Sequence, residues 1–143
     1  MRSLAALLIA ILSAVLLAPL TAAAARLEAG VARVEITDRD AGPVNDPSYV
    51  KALVLKNGTT VVAFVTVDVV AIGEIGRIGN SYLASVRARL QQELGISPAN
   101  VLINASHCHS VVRADTDALT VRAVQEAWKS MVPVKVGDRK SVV

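Results

Sequence analysis

Asn57-Gly58 stands between two apolar, β-branched runs, residues 51–55 and 60–70. Asn-Gly is the strongest short signal for a two-residue hairpin, because both residues tolerate the positive φ angles that a primed turn requires. The two runs are therefore expected to double back as antiparallel strands. Within the second, Val61-Val62-Ala63-Phe64-Val65-Thr66-Val67 is nearly continuous in apolar residues, the pattern of a strand covered on both faces. Downstream, Leu83, Val86, Leu90 and Leu94 recur at helical spacing after the capping candidates Asn80 and Ser81, and Gly95 followed by Pro98 ends the pattern. Residues 101–105 then form a short apolar run. Strand, helix, strand in that order predicts a right-handed crossover with parallel strands.

Upstream of the hairpin, residues 27–37 alternate loosely and predict a first strand, followed by a loop over residues 39–47 in which Pro43 and Pro47 keep their predecessors out of helical geometry. Near the end, Val121, Val124, Trp128 and Met131 define a second helix, with Trp128 as a core residue in that register, and Pro133 separates the helix from a strand at residues 134–136. The expected fold class is α/β: a partial mixed sheet with one parallel βαβ crossover and flanking helices.

The 143 residues suffice for about one small domain, and part of the 53% apolar content lies at the front. Met1 and Arg2 precede an apolar run at residues 4–17, Pro19 and the alanines at 22–25. That run is short of the roughly 20 residues needed to cross a bilayer, and the small-residue motif follows at once, so residues 1–25 read as a secretory signal peptide. The domain is then residues 26–143, exported and either secreted or periplasmic, with no second hydrophobic span. The single cysteine, Cys108, excludes an intrachain disulfide, so the fold must rest on its core or on a metal. A net charge of +3, lowered to about +2 when Arg2 departs, is too small for a nucleic-acid footprint. Lys135, Arg139 and Lys140 read as a frayed end that an anionic membrane surface would attract weakly.

In an open parallel sheet, ligands collect beyond the carboxyl ends of the strands. Asp68 closes the first parallel strand and Ser106-His107-Cys108-His109-Ser110 closes the second. A carboxylate on the same rim as two imidazoles could ligate a cation directly or orient a ligating ring. His107 and His109 are the only histidines, and positions i and i+2 of an extended segment point the same way, so both are candidate ligands to one ion. Imidazole suits zinc better than magnesium, which prefers oxygen donors. The plainer reading is two polar loop residues. Cys108, flanked by both rings, is a soft ligand, a nucleophile or simply a free thiol. Gly73, Gly76 and Gly79 lie where a phosphate loop would, yet their spacing fits neither dinucleotide nor P-loop patterns. Asn57-Gly58-Thr59 and Asn104-Ala105-Ser106 match the N-glycosylation acceptor pattern.

The segment Val101-Leu102-Ile103-Asn104-Ala105-Ser106-His107-Cys108-His109-Ser110 resembles the Ser/Thr-His-Thr-His-Ser-Gly-Pro segment of the neutral/alkaline non-lysosomal ceramidases. Ala29-Gly30 followed by Glu35-Ile36-Thr37 is similar to that family's opening strand, and residues 49–55, Val67-Asp68 and residues 95–101 follow in family order. The resemblance covers nearly all of residues 26–143, but only the beginning of the family's catalytic domain. It implies a zinc-dependent amidohydrolase that cleaves the amide of an N-acyl sphingoid base, a ceramide-like lipid. His107 would then be a zinc ligand, and His109 would lie beside the metal in the substrate pocket. Cys108 replaces the usual threonine, Val111-Val112 replace Gly-Pro, and Glu35 and Asp38 stand where Asp and Pro are usual. The family draws its other ligands and its nucleophilic serine from further along the chain, and Ser110 matches a different serine. With His109 and Asp68 as candidate catalytic residues and His107 and His109 as candidate metal ligands, two readings stay open. One is a ceramidase-like hydrolase; the other is a non-catalytic exported remnant, or a half-site that binds metal weakly or needs a partner chain.

Overall fold

A computed structural model of the chain describes residues 26–137; the expected signal peptide at 1–25, and Arg139 and Lys140, lie outside them. Five strands form one sheet: β1 (Leu27–Glu35), β2 (Tyr49–Asn57), β3 (Thr60–Val67), β4 (Val101–Ala105) and β5 (Val132–Pro133). Two helices, α1 (Tyr82–Leu94) and α2 (Thr116–Lys129), precede β4 and β5 respectively, and 3-10 turns occupy Arg39–Ala41 and Pro98–Asn100. The spatial order is β4-β3-β2-β1-β5. Only β3 and β4 are parallel, joined through α1, and every other neighbouring pair is antiparallel. The fold is therefore the α/β mixed sheet with one parallel pair that the strand-helix-strand order implies.

The hairpin turns one residue later than Asn57-Gly58 suggests. Asn57 pairs with Thr60, leaving Gly58 and Thr59 as the loop. Gly58 has φ 59° while Thr59 stays at negative φ, which is the type II′ arrangement with glycine at the first central position. Turn chemistry is satisfied by glycine alone, so asparagine is released to the last rung of the ladder.

Both helices pack on one face of the sheet, so the expectation that β3 is covered on both faces is corrected. Ala63, Val65 and Val67 are buried toward the helices, whereas Phe64 on the opposite face is 40% exposed. A continuous apolar run does not distinguish two covered faces from one covered and one bare. The core is a single cluster that joins Val50, Val54 and Val65 of the sheet to Val86 and Leu90 of α1 and Val121 and Val124 of α2, each worth about 1.5–3 kcal/mol when fully buried. Trp128 and Met131 are partly buried against that cluster, while Ala127 in the same helix is fully buried. The reason is Gly30: a Cβ there would collide with the carbonyl of Ala127, so α2 lies directly on the backbone of β1.

The strand expected at residues 134–136 is also corrected. Pro133 lies within β5, opposite Glu28 of β1, and Val132 lies opposite Ala29. Proline is tolerated because β5 is an edge strand of two residues, and the neighbouring Val134 N–H supplies the bond, donating to the Leu27 carbonyl at 2.9 Å.

Candidate functional site

Because β3 and β4 are parallel, with Val67 beside Ala105, their carboxyl ends open onto one rim. Pairing continues into the loops: Ser106 N–H donates to the Val67 carbonyl at 2.9 Å and Cys108 N–H to the Val69 carbonyl at 3.0 Å. The chain then crosses the sheet edge to the end of β1, where Asp38 N–H donates to the Val111 carbonyl, Arg113 N–H donates to the Ile36 carbonyl, and Thr37 bridges to Val112. The histidine segment is thus a strap tied to β3 on one side and to β1 on the other.

His107 sits at the bend of this strap with φ 64°. A side chain other than glycine in the left-handed region costs roughly 1–2 kcal/mol, so the backbone there is held by its surroundings and is not the extended segment assumed from the His-x-His spacing. Its ring Nδ1 lies 2.9 Å from the Val70 carbonyl. A carbonyl can only accept, so Nδ1 carries the proton, and in the neutral ring Nε2 on the far side holds the lone pair. This is the tautomer and orientation of a ligating imidazole. The His109 ring lies 5.0 Å away, nearly perpendicular at 87°. Both rings are exposed. His109 also lines a cleft of about 370 Å³ together with Thr37, Asp38 and the loop through Asp46.

Asp68 reaches the same rim, but its carboxylate is engaged elsewhere. It accepts from the Tyr49 N–H at 3.0 Å, from Lys51 Nζ at 3.1 Å and from the Ser106 hydroxyl at 2.9 Å. Burial pushes its carboxyl up, yet the bond from Lys51, the bonds from Tyr49 and Ser106 and the lysine charge outweigh this and hold it below the usual carboxylate range. The group that orients His107 is therefore the Val70 carbonyl, and Asp68 ties β2 to the strap. Ser110 is bound in the same way, its hydroxyl accepting from Ser48 at 2.6 Å and donating to the Asp68 carbonyl at 3.3 Å. Cys108 is half-buried, its thiol 3.5 Å from the Ser110 hydroxyl.

Ser48, Lys51 and Val70 complete the rim and carry no motif of their own. A catalytic zinc normally takes three protein ligands, whereas no group of three histidine, cysteine or acidic side chains among the described residues is placed to hold one ion. Two imidazoles are one donor short of that set.

The class of molecule so defined is an α/β sheet whose carboxyl rim carries a tethered histidine strap. Among solved structures, it is similar to the neutral ceramidase from Pseudomonas aeruginosa and to a ceramidase complexed with C2, each with a TM-score of 0.61, 16% sequence identity and coverage of 76% of this chain. The chain therefore has a ceramidase-like fold, and it spans 22% of the length of those structures. No family model and no curated protein matches it.

Proposed function

We propose that the chain is the histidine-bearing part of a ceramidase-like amide hydrolase, acting on the amide of a ceramide-like lipid with zinc as cofactor, and that the described residues form a half-site of it. The observation that carries this reading is His107, locked by the Val70 carbonyl in the tautomer that leaves Nε2 free, with His109 5.0 Å away. The fold of the neutral ceramidases supports the reaction class, although one fold can host many activities. In this reading His107 and His109 supply two donors and other residues complete the set. His109, which lines the cleft with Thr37 and Asp38, would in this reading hydrogen-bond a polar headgroup. Export and a signal peptide at residues 1–25 belong to the same proposal.

The test is zinc titration by calorimetry on the full chain, with hydrolysis of a fluorogenic ceramide assayed on the same sample. Weak zinc binding that His107→Ala abolishes, without turnover, is the expected result. Binding unchanged in His107→Ala would remove the strap from the metal site. Stoichiometric zinc with turnover would overturn the half-site part, because a full ligand set would then be present.

A further inference from the structure

Asp38 ties the rim together through both its backbone and its side chain. Its N–H donates to the Val111 carbonyl of the strap at 3.1 Å. One carboxylate oxygen accepts from the Asp40 N–H at 3.1 Å. The other lies 3.1 Å from Nη1 of Arg77, which belongs to the loop between β3 and α1. Ile78 is buried and Ile72 packs against the core, so the shoulders of this loop are seated by apolar contact. Its tip has no such seat: Gly73, Glu74 and Gly76 have positive φ, at 97°, 65° and 74°, and at Glu74 a side chain stands where glycine is the usual choice. Among the described residues, the backbone bond within the tip runs from the Ile75 N–H to the Gly73 carbonyl, and none runs from residues 71–80 to the sheet. A backbone of this kind persists where its surroundings hold it.

The loop begins at Val70, whose carbonyl receives the His107 Nδ1–H, and it folds back on that residue. A Cβ at Gly76 would stand 3.9 Å from Val70 Cγ1, so the neighbour of Arg77 rests on the residue that orients the ring. A histidine side chain free in water favours the opposite tautomer, with the proton on Nε2. The Nδ1–H form of His107 is therefore a held state, as is its backbone at φ 64°. We propose that Arg77 and Asp38 are positioning residues for the histidine pair. Their ion pair latches the loop tip to the end of β1, and through Gly76 it fixes the Val70 carbonyl against His107. Ion pairs between exposed side chains contribute little. Here the Asp38 side chain is 16% exposed and its other oxygen is already fixed by Asp40, so the carboxylate loses little freedom when the arginine docks. What the oriented ring is used for rests on the hydrolase reading; the latch itself does not.

Long-range proton–nitrogen correlation spectra of the full chain, at a mildly alkaline pH where imidazoles are neutral, identify the protonated nitrogen of each ring. The wild type should show His107 as Nδ1–H. Arg77→Ala and Asp38→Asn should each shift it to the Nε2–H form of free histidine, with unchanged far-UV circular dichroism. Arg77→Lys should keep Nδ1–H, since a single N···O contact makes the pair and an ammonium can supply it. Arg39→Ala, which removes the exposed Arg39–Glu35 pair on the same rim, is the control and should leave the tautomer unaltered. Arg77→Ala decides alone if Asp38→Asn fails to fold. Nδ1–H retained in either variant would overturn the latch. Loss of Nδ1–H in Arg77→Lys would overturn the ion pair as its basis, and loss in Arg39→Ala would overturn its assignment to Arg77. A wild-type His107 protonated on Nε2 would overturn the latch and also remove the observation that carries the proposed function. Nδ1–H that responds to Arg77 in a chain that takes up no zinc would support the latch and count against the zinc site alone.

Discussion

Asp68 joins three stretches of chain that are distant in sequence: β2 through Tyr49 and Lys51, β3 which carries it, and the histidine strap through Ser106. A buried carboxylate with three donors is costly to neutralise, because each donor loses a charged acceptor. Asp68→Asn should therefore destabilise the fold by about 1–3 kcal/mol at neutral pH. The sign of the pH dependence follows from the lowered pKa. Relative to the ordinary value of 3.8, the folded state releases this proton more readily. The stabilisation is complete above that value and is lost as pH falls through the lower folded value. Urea unfolding followed from neutrality into this acid window should show the loss in the wild type and a flatter profile in Asp68→Asn; equal slopes would assign the acid sensitivity to another carboxylate. At this scale the sequence is legible where residues close strands. Asp68, His107 and His109 share a rim because β3 and β4 are parallel, and that follows from the strand-helix-strand order. The Val70 carbonyl that orients His107 and the Ser48 hydroxyl that holds Ser110, 62 residues away, depend on register, and no spacing in the chain announces them. Nor does composition reveal that His107 adopts φ 64°.

At the level of elements, periodicity finds α1 and α2 but misses the contact between them. Leu83, Val86, Leu90 and Leu94 mark the apolar stripe of α1, yet the side chain that reaches α2 is Tyr82, 5% exposed, with its hydroxyl 2.6 Å from the Thr120 hydroxyl. Thr120 in turn donates to the Thr116 carbonyl at 2.8 Å, so Thr120 accepts from tyrosine and the buried polar chain is complete. A threonine in a helix and a tyrosine at a helix start look polar in a hydrophobic pattern, which is why a stripe analysis passes over both. Burial, with Asp117 nearby, outweighs the Thr120 bond and pushes the Tyr82 phenol up to about 12 from 10.0. A raised phenol pKa means that folding favours the protonated ring. Its contribution is complete below pH 10 and is lost as pH rises toward 12. Tyr82→Phe should cost about 1 kcal/mol at neutral pH through the lost bond and should reduce the alkaline loss of stability. Absorbance titration of the phenolate with parallel unfolding curves would check this, and a phenol ionising near 10 in the native protein would mean that the α1–α2 contact is open to water.

For the molecule as a whole, covering one sheet face sets how stability is distributed. β1, β2 and β3 are flanked by strands on both sides and β1 and β2 lie under α2, whereas β5 is a two-residue edge strand whose side chains are exposed. β4 is the other edge strand, short but anchored under α1 by Val101, and the Arg87 guanidinium donates to the Val101 carbonyl at 2.9 Å. Amides open locally where few apolar contacts must be broken and only through global unfolding where the core itself must part. Native-state hydrogen exchange should therefore rank the amides of Val54 and Ala63, paired with each other across β2 and β3, near the global unfolding free energy. The Val134 amide, which holds β5 to Leu27, should exchange through a low-energy opening. The histidine strap falls between these limits, because its Ser106 and Cys108 amides are bonded to β3 extensions but its His107 and His109 side chains face water. If Cys108 exchanged as slowly as Ala63, the strap would be part of the cooperative core. Exchange of Cys108 markedly faster than that of Ala63 would identify the strap as a separately opening unit on a rigid sheet, able to adjust to an additional ligand or substrate without unfolding what supports it.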